Sequence, residues 1–165
     1  MCIRDSYYSI IDGKTVGPFA TGTACAALVA GASKEVSDMM YDFGTEFGRA
    51  FQLVDDLLDL TGDPEMGKPR GTDVHEGKMT LPIIHALTIL HGSEREHLAD
   101  VLNNFSDDRW NELTTLLEIS GSFSYTRQLI QNHVDRALEI ISNLPSSDAK
   151  DLISEVALIS RNRKV

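Results

Sequence analysis

The chain has 165 residues, a formal net charge of −10 and a pI of about 4.8. This acidity argues against binding along a nucleic-acid backbone, which requires a face rich in lysine and arginine. The two cysteines, Cys2 and Cys25, form neither a disulfide framework nor a metal-binding pattern. Every apolar run falls short of the roughly 20 residues that cross a bilayer. We therefore expect a cytoplasmic protein of one domain without a transmembrane segment.

The pattern of apolar residues predicts an all-α chain with neither strand alternation nor internal repeats. A first helix is expected over about residues 7–31, and Gly17-Pro18 predicts a kink or break near its start. Ser33 is a suitable N-cap for a second, long helix that ends near residue 61.

The second half of the chain also has helical periodicity. Residues 62–79 are rich in glycine and predict a loop without regular structure. Thr80 is the expected N-cap of the next helix, and Ser93 and Glu96 have the spacing of a capping box. Further helices are expected at about residues 80–92, from 93 onward, and at 106–119, 122–144 and 148–159.

The first six residues, MCIRDS, show no apolar periodicity and match the translation of a common sequencing adapter. We therefore expect residues 1–6 to be an adapter-derived artefact, and they are excluded from the fold prediction. A genuine short N-terminus is the alternative.

A narrow polar stripe interrupts the apolar surface of the second helix. At about 100° per residue, Gln52, Asp55, Asp56 and Asp59 share an arc of roughly 100°. A helix that is apolar almost all round is usually buried, so the stripe should line a cavity. Its like charges repel one another and require an external cation. Oxygen ligands suit Mg²⁺ or Mn²⁺, which also bind substrate phosphates. A solvated surface face is the alternative.

The glycine-rich loop at residues 62–79 carries Lys68 and Lys78. Glycines let backbone amides approach an anion closely, and lysines supply point charges for phosphate oxygens. We therefore expect the loop to bind a phosphate group, with an ordinary flexible surface loop as the alternative. Lys14-Thr15, beside the expected break in the first helix, is a second candidate phosphate contact; a simple charge near a helix end is the alternative.

Together these motifs resemble those of the trans-polyprenyl diphosphate synthases, and in particular the geranylgeranyl and longer-chain members. The resemblance runs from about residue 7 to residue 163. By this resemblance, residues 7–165 are expected to be the C-terminal half of a polyprenyl synthase domain, because the first of the family's two aspartate-rich motifs is absent. The motifs that carry it are Lys14-Thr15, FQxxDDxxD at 51–59, GKPxGxD at 67–73 and GKxTLP at 77–82.

The resemblance implies an isoprenoid-synthase helical bundle around a central cavity. It also implies Mg²⁺-dependent transfer of a prenyl group from an allylic diphosphate to isopentenyl diphosphate, with release of pyrophosphate, by a homodimeric full-length enzyme. Asp55 would bind the metal most directly, with Asp56 and Asp59 as further ligands or supports. The implied substrate-binding residues are Lys14, Thr15, Phe51, Gln52, Lys68 and Lys78, of which Lys14, Thr15 and Gln52 are also catalytic.

With one aspartate-rich motif, we expect this chain alone to catalyse little. The main alternative is a non-catalytic helical partner subunit of a prenyl synthase, although such subunits tend to lose the aspartates that this chain keeps. A class I terpene cyclase uses similar metal chemistry, but the combined motifs favour chain elongation. A helical interaction module without ligand chemistry is the last alternative.

Overall fold

The structure, a computed structural model, describes residues 3–62 and 70–161. Every regular element of these residues is helical, so the all-α prediction is confirmed. None of their helices is both long and apolar enough to cross a membrane. The elements in chain order are α1 (Ile3–Ile11), a π-helical turn (Asp12–Val16), α2 (Gly17–Val29), α3 (Lys34–Thr61), α4 (Thr72–His75), α5 (Leu81–Ile89), α6 (Gly92–Asn103), a 3₁₀-helix (Asp107–Arg109), α7 (Trp110–Ile119), α8 (Ser122–Ser142) and α9 (Asp148–Arg161).

The break expected near the start of the first helix is present as the π-helical turn. The N–H of Gly17 donates to the carbonyl of Asp12, five residues earlier, which widens the helix locally. Pro18 follows at the start of α2, where its missing N–H needs no partner. Such turns are rare and frequently occur at functional sites.

Two helix boundaries follow from local chemistry. The Ser33 hydroxyl accepts a hydrogen bond from the N–H of Val36 at 3.4 Å, and α3 begins at Lys34 as predicted. Gly121 ends α7 with a φ of 67°, a left-handed conformation that glycine adopts without strain.

Thr80 is the N-cap of α5, as predicted, but its hydroxyl makes no cap hydrogen bond and is buried without a partner in the described part of the chain. The capping box at Ser93 and Glu96 is wrong, because α6 begins at Gly92 with His91 as its N-cap. The predicted loop also contains α4, a single helical turn.

The described residues form two compact units. The first comprises residues 3–7, 55–62 and 70–127, and the second comprises residues 8–54 and 128–161. Helices α1, α3 and α8 contribute residues to both units. The core of the first unit includes an apolar side chain from each of α3 to α8, among them Leu57, Val74, Ile83, Leu98, Leu113 and Phe123.

In the second unit, α3 approaches α2 and the end of the π-helical turn closely at two glycines of α3 that lie one turn apart. A Cβ atom on Gly44 would lie 2.7 Å from the Cα of Ala20, and one on Gly48 would lie 3.0 Å from the Cα of Val16. Both neighbours are backbone atoms, which cannot move aside as a flexible side chain can. The two glycines therefore set the distance between these helices.

Gly44→Ala is expected to lower the free energy of unfolding by about 1–3 kcal/mol, because the new methyl group overpacks the helix contact. Gly22→Ala is the matched control: nothing lies within 4 Å of a Cβ there. It should raise the stability by about 0.5–1 kcal/mol through helix propensity. Denaturant titration followed by circular dichroism measures both changes, and a Gly44→Ala protein as stable as the wild type would contradict the close contact.

Candidate functional site

The three aspartates of the predicted stripe lie on α3 in different environments. Asp56 is 2% exposed and accepts a hydrogen bond from the Tyr7 hydroxyl, with Oη and Oδ2 2.6 Å apart. Asp55 and Asp59, one helical turn apart, are partly exposed. The structure therefore buries one carboxylate of the stripe and leaves two accessible.

Asp59 also fixes the described part of the glycine-rich loop. Its Oδ2 accepts a hydrogen bond from the N–H of Asp73 at 3.2 Å, and its carbonyl accepts one from the N–H of Gly71 at 2.8 Å. The end of α3 and the start of α4 are thereby joined through both the side chain and the backbone of one residue.

The Trp110 ring packs against the same loop segment. A Cβ on Gly71 would collide with this ring, and Gly71 has a φ of 71°, so both space and conformation require glycine. The Arg70 guanidinium lies 4.8 Å above the ring centroid, a cation–π contact. These contacts give the second half of the loop a defined course.

Burial raises the pKa of Asp59 above its usual value, and the nearby carboxylate of Asp73 raises it further. Backbone hydrogen bonds from Asp73 and Thr72 act in the opposite direction, and Asp55 adds repulsion. Ionised Asp59 is therefore electrostatically unfavourable in the unliganded protein, and a bound cation would relieve it.

Asp59→Asn removes a charge that burial and the carboxylates of Asp73 and Asp55 disfavour. It is expected to stabilise the metal-free chain at neutral pH by at least about 0.2–0.5 kcal/mol, the cost of the like-charge pair with Asp55 alone. Because the pKa of Asp59 is raised in the folded state, wild-type stability falls as the pH rises from the usual value of 3.8. The advantage of asparagine should therefore disappear in acid below that value. Urea titrations at neutral and acidic pH measure this, and an advantage that persists in acid would contradict the electrostatic cause.

Lys78 pairs with carboxylates of its own loop. Its Nζ lies 2.8 Å from Oδ1 of Asp73 and 2.6 Å from Oε2 of Glu76. The hydrogen bond with Asp73 is the main cause that raises the pKa of Lys78. A phosphate group that binds Lys78 would have to compete with these two partners. Lys68, the other predicted lysine of the loop, lies outside the described residues.

In the second unit, the π-helical turn places Lys14 and Thr15 beside α3. The Thr15 hydroxyl donates to Oε1 of Gln52 at 2.6 Å, so the structure brings these two predicted residues together. The Lys14 side chain is exposed and makes no ion pair or hydrogen bond with the described residues. Its ammonium group is therefore available to an anion.

Phe51 belongs to an aromatic cluster of the second unit. Its ring centroid lies 5.2 Å from that of Phe19 and 6.4 Å from that of Phe47, at tilted angles. Phe43 stacks on Phe47 at 5.9 Å. Phe51 thus has a packing role, and its half-buried ring keeps part of its surface accessible.

No three histidine, cysteine, aspartate or glutamate side chains of residues 3–62 and 70–161 converge as a complete metal-binding group. Asp55 and Asp59 instead offer a partial set of oxygen ligands. This fits Mg²⁺, which is usually held by one or two carboxylates and takes its remaining ligands from water and substrate phosphates.

Sequence reasoning missed the partners of the site residues. Tyr7 carries no sequence signal that it would contact Asp56, 49 positions later. Arg49, which pairs with Asp12, could have been suspected because it is a lone cation in the apolar segment before Gln52.

The chain matches the family model for polyprenyl synthetase over residues 3–118. It is 33% identical over 155 residues to the short chain isoprenyl diphosphate synthase of Methanothermobacter thermautotrophicus, covering 93% of this chain and 48% of that protein. It is also 33% identical over 165 residues to the octaprenyl diphosphate synthase of Escherichia coli, covering 97% of this chain and 50% of that protein. The chain therefore spans about half the length of the curated relatives it matches.

Solved structures agree with these relatives. A polyprenyl synthase from Caulobacter crescentus, crystallised with calcium and isoprenyl diphosphate, superposes with a TM-score of 0.89 at 30% identity, covering 96% of this chain and 49% of that one. A decaprenyl diphosphate synthase from Rhodobacter capsulatus gives a TM-score of 0.88 at 29% identity, with 98% and 51% covered. The sequence motifs, the helical fold and these comparisons agree: the chain belongs to the polyprenyl synthetase family.

Proposed function

We propose that this chain carries the second aspartate-rich motif of a Mg²⁺-dependent prenyltransferase. The complete enzyme would condense an allylic diphosphate with isopentenyl diphosphate and, by its resemblance to the family, act as a cytoplasmic homodimer. The observation that carries the proposal is the pair of accessible carboxylates Asp55 and Asp59. Neither carboxylate is ion-paired with a lysine or arginine of the described residues. An external cation would therefore neutralise their charge.

Asp55 and Asp59 would hold Mg²⁺, and Mn²⁺ suits the same oxygen ligands. Asp56, bonded to Tyr7, would support the helix from the protein interior. Bound metal supplies Lewis-acid neutralisation of the diphosphate charge. In this proposal, the aspartates fix the position of the metal ion and thereby keep the reacting diphosphate at one end of α3.

By the resemblance to the family, Lys14, Lys68 and Lys78 would hold the oxygens of the allylic diphosphate. The allylic C–O bond breaks and its electron pair leaves on the diphosphate. The isopentenyl double bond then forms the new C–C bond, and loss of a proton restores a double bond. Thr15 and Gln52 would lie near the reacting carbon, where their oxygens stabilise the developing positive charge. The hydrogen bond between them supports this by holding both dipoles in one orientation.

Calorimetry with geranyl diphosphate and geranyl monophosphate tests the ligand class. In Mg²⁺, the monophosphate is expected to bind at least about tenfold more weakly, because each lost charge-assisted hydrogen bond costs about 1.5–3 kcal/mol. Equal affinities would contradict a site for diphosphates.

A condensation assay then separates prenyl transfer from the partner-subunit alternative. With one of the two aspartate-rich motifs, this chain alone is expected to form little product from geranyl diphosphate and labelled isopentenyl diphosphate. The complete enzyme should yield a longer prenyl diphosphate and one pyrophosphate for each new bond. Product that forms only with Mg²⁺ supports transfer by this chain. Diphosphate binding without product favours a subunit or half-site that requires the rest of the enzyme.

A further inference from the structure

Arg49 connects α3 to the first residue of the π-helical turn. Its Nε lies 3.1 Å from Oδ1 of Asp12 and its Nη2 lies 2.9 Å from Oδ2, which is a bidentate arrangement. The Asp12 carbonyl accepts the hydrogen bond from Gly17 that closes the turn. Arg49 therefore binds the residue on which the turn depends.

The same face of α3 contacts the turn at two further points. Gln52 accepts the hydrogen bond from Thr15 at 2.6 Å. Gly48 lets the backbone of Val16 approach so closely that a Cβ there would lie 3.0 Å from the Val16 Cα. Lys14 lies in the turn between Asp12 and Thr15, and its side chain is exposed without a partner in the described residues.

The Arg49 guanidinium is itself held from two directions. The hydrogen bond with Asp12 raises the pKa of Arg49. On the other side, Nη1 lies 3.8 Å from Oε1 of Glu46. Glu46 is oriented by His133, whose Nδ1 lies 2.7 Å from Oε2. The side chains of Arg49, Glu46 and His133 are at most 28% exposed, so these three contacting side chains are largely shielded from water.

The bidentate pair of Arg49 and Asp12, called the fork below, has a specific geometry. A guanidinium donates two parallel hydrogen bonds to a carboxylate, which fixes the direction of the partner as well as its distance. Lysine would supply the charge without this orientation. The pair therefore constrains the rotation of the Asp12 side chain and, through it, the conformation of the turn.

We infer that Arg49 is a positioning residue for Lys14: through its fork with Asp12, it holds the π-helical turn in the conformation that presents the Lys14 ammonium to a phosphate group. This inference rests on the proposed function, in which Lys14 holds the diphosphate. Arg49 does not contact the ligand in this account and acts only through the turn.

Pyrophosphate binding in Mg²⁺, measured by calorimetry, tests the coupling between the two residues. Arg49→Ala is expected to weaken binding about tenfold, since small misplacements of a binding group have effects of this size or larger. In a Lys14→Ala background the same change should have almost no further effect, because the residue that it positions is gone. Additive losses in the double variant would overturn the inference.

Arg136→Ala is the matched control. Arg136 is 63% exposed and lies 4.0 Å from Glu46, so its removal takes away the same charge near the same carboxylate without touching the turn. Pyrophosphate affinity should stay at the wild-type value in this variant. A loss as large as that of Arg49→Ala would show a general charge effect and overturn the inference.

Amide exchange at Gly17 measures the turn itself by NMR. Arg49→Ala should accelerate exchange there about tenfold while leaving the middle of α2 protected, and Arg49→Lys should be intermediate. Uniformly faster exchange along α2 and α3 would indicate general destabilisation and overturn the inference. If the wild type fails to bind pyrophosphate, the proposed function fails, and the Gly17 exchange still decides whether Arg49 holds the turn.

Discussion

Asp55→Ala is expected to weaken Mg²⁺-dependent pyrophosphate binding by about 100-fold, or ~2.7 kcal/mol. Asp55 and Asp59 are the two accessible carboxylates of the stripe, so the loss of Asp55 leaves Asp59 alone to bind the metal. A single carboxylate holds the ion less firmly and neutralises less of its charge. Calorimetric titration of pyrophosphate with Mg²⁺ in excess measures the change.

Asp42→Ala provides the control, since Asp42 is an exposed aspartate on the same helix but outside the stripe. It removes the same formal charge and should leave the affinity unchanged. If Asp55→Ala also binds pyrophosphate as the wild type does, the metal assignment is wrong, and the stripe is only a polar surface.

Tyr7→Phe is expected to lower the free energy of unfolding by about 1.5–3 kcal/mol, the contribution of a hydrogen bond to a charged group. The Tyr7 hydroxyl donates to Asp56 at 2.6 Å, a length typical of a hydroxyl on a carboxylate. Since Asp56 is 2% exposed, water cannot easily replace the lost donor. Urea titration of the variant measures the loss.

Tyr41→Phe removes an equivalent hydroxyl from a side chain that is 49% exposed, so its stability should remain within about 0.5 kcal/mol of the wild type. A Tyr7→Phe protein that is equally unaffected would contradict a supporting role for the Tyr7–Asp56 pair.

The helices were predictable because their signals are local. Apolar periodicity and the Ser33 cap define α3, and the glycine and proline near residue 17 mark the π-helical turn. The failed capping box shows the limit of this reasoning. The chain is already helical at Gly92, so Ser93 lies inside the first turn, where its hydroxyl is no longer at the N-cap position.

The candidate site was predictable as a helix face but not as a set of partners. A period of about 100° per residue places Asp55, Asp56 and Asp59 on one side of α3. It cannot show that Asp56 is buried, or that its hydrogen-bond partner is Tyr7, 49 positions away. The fork between Asp12 and Arg49 likewise joins residues 37 positions apart, and only the fold brings them together.

The most direct test of the central claim is the affinity of the wild-type chain for geranyl diphosphate, measured by calorimetry with Mg²⁺ in excess and again with EDTA. A metal-dependent diphosphate site predicts binding in Mg²⁺ that is lost in EDTA and restored when the ion is returned. Equal affinity under both conditions, or no binding under either, would contradict the assignment of Asp55 and Asp59 to a metal that holds a diphosphate.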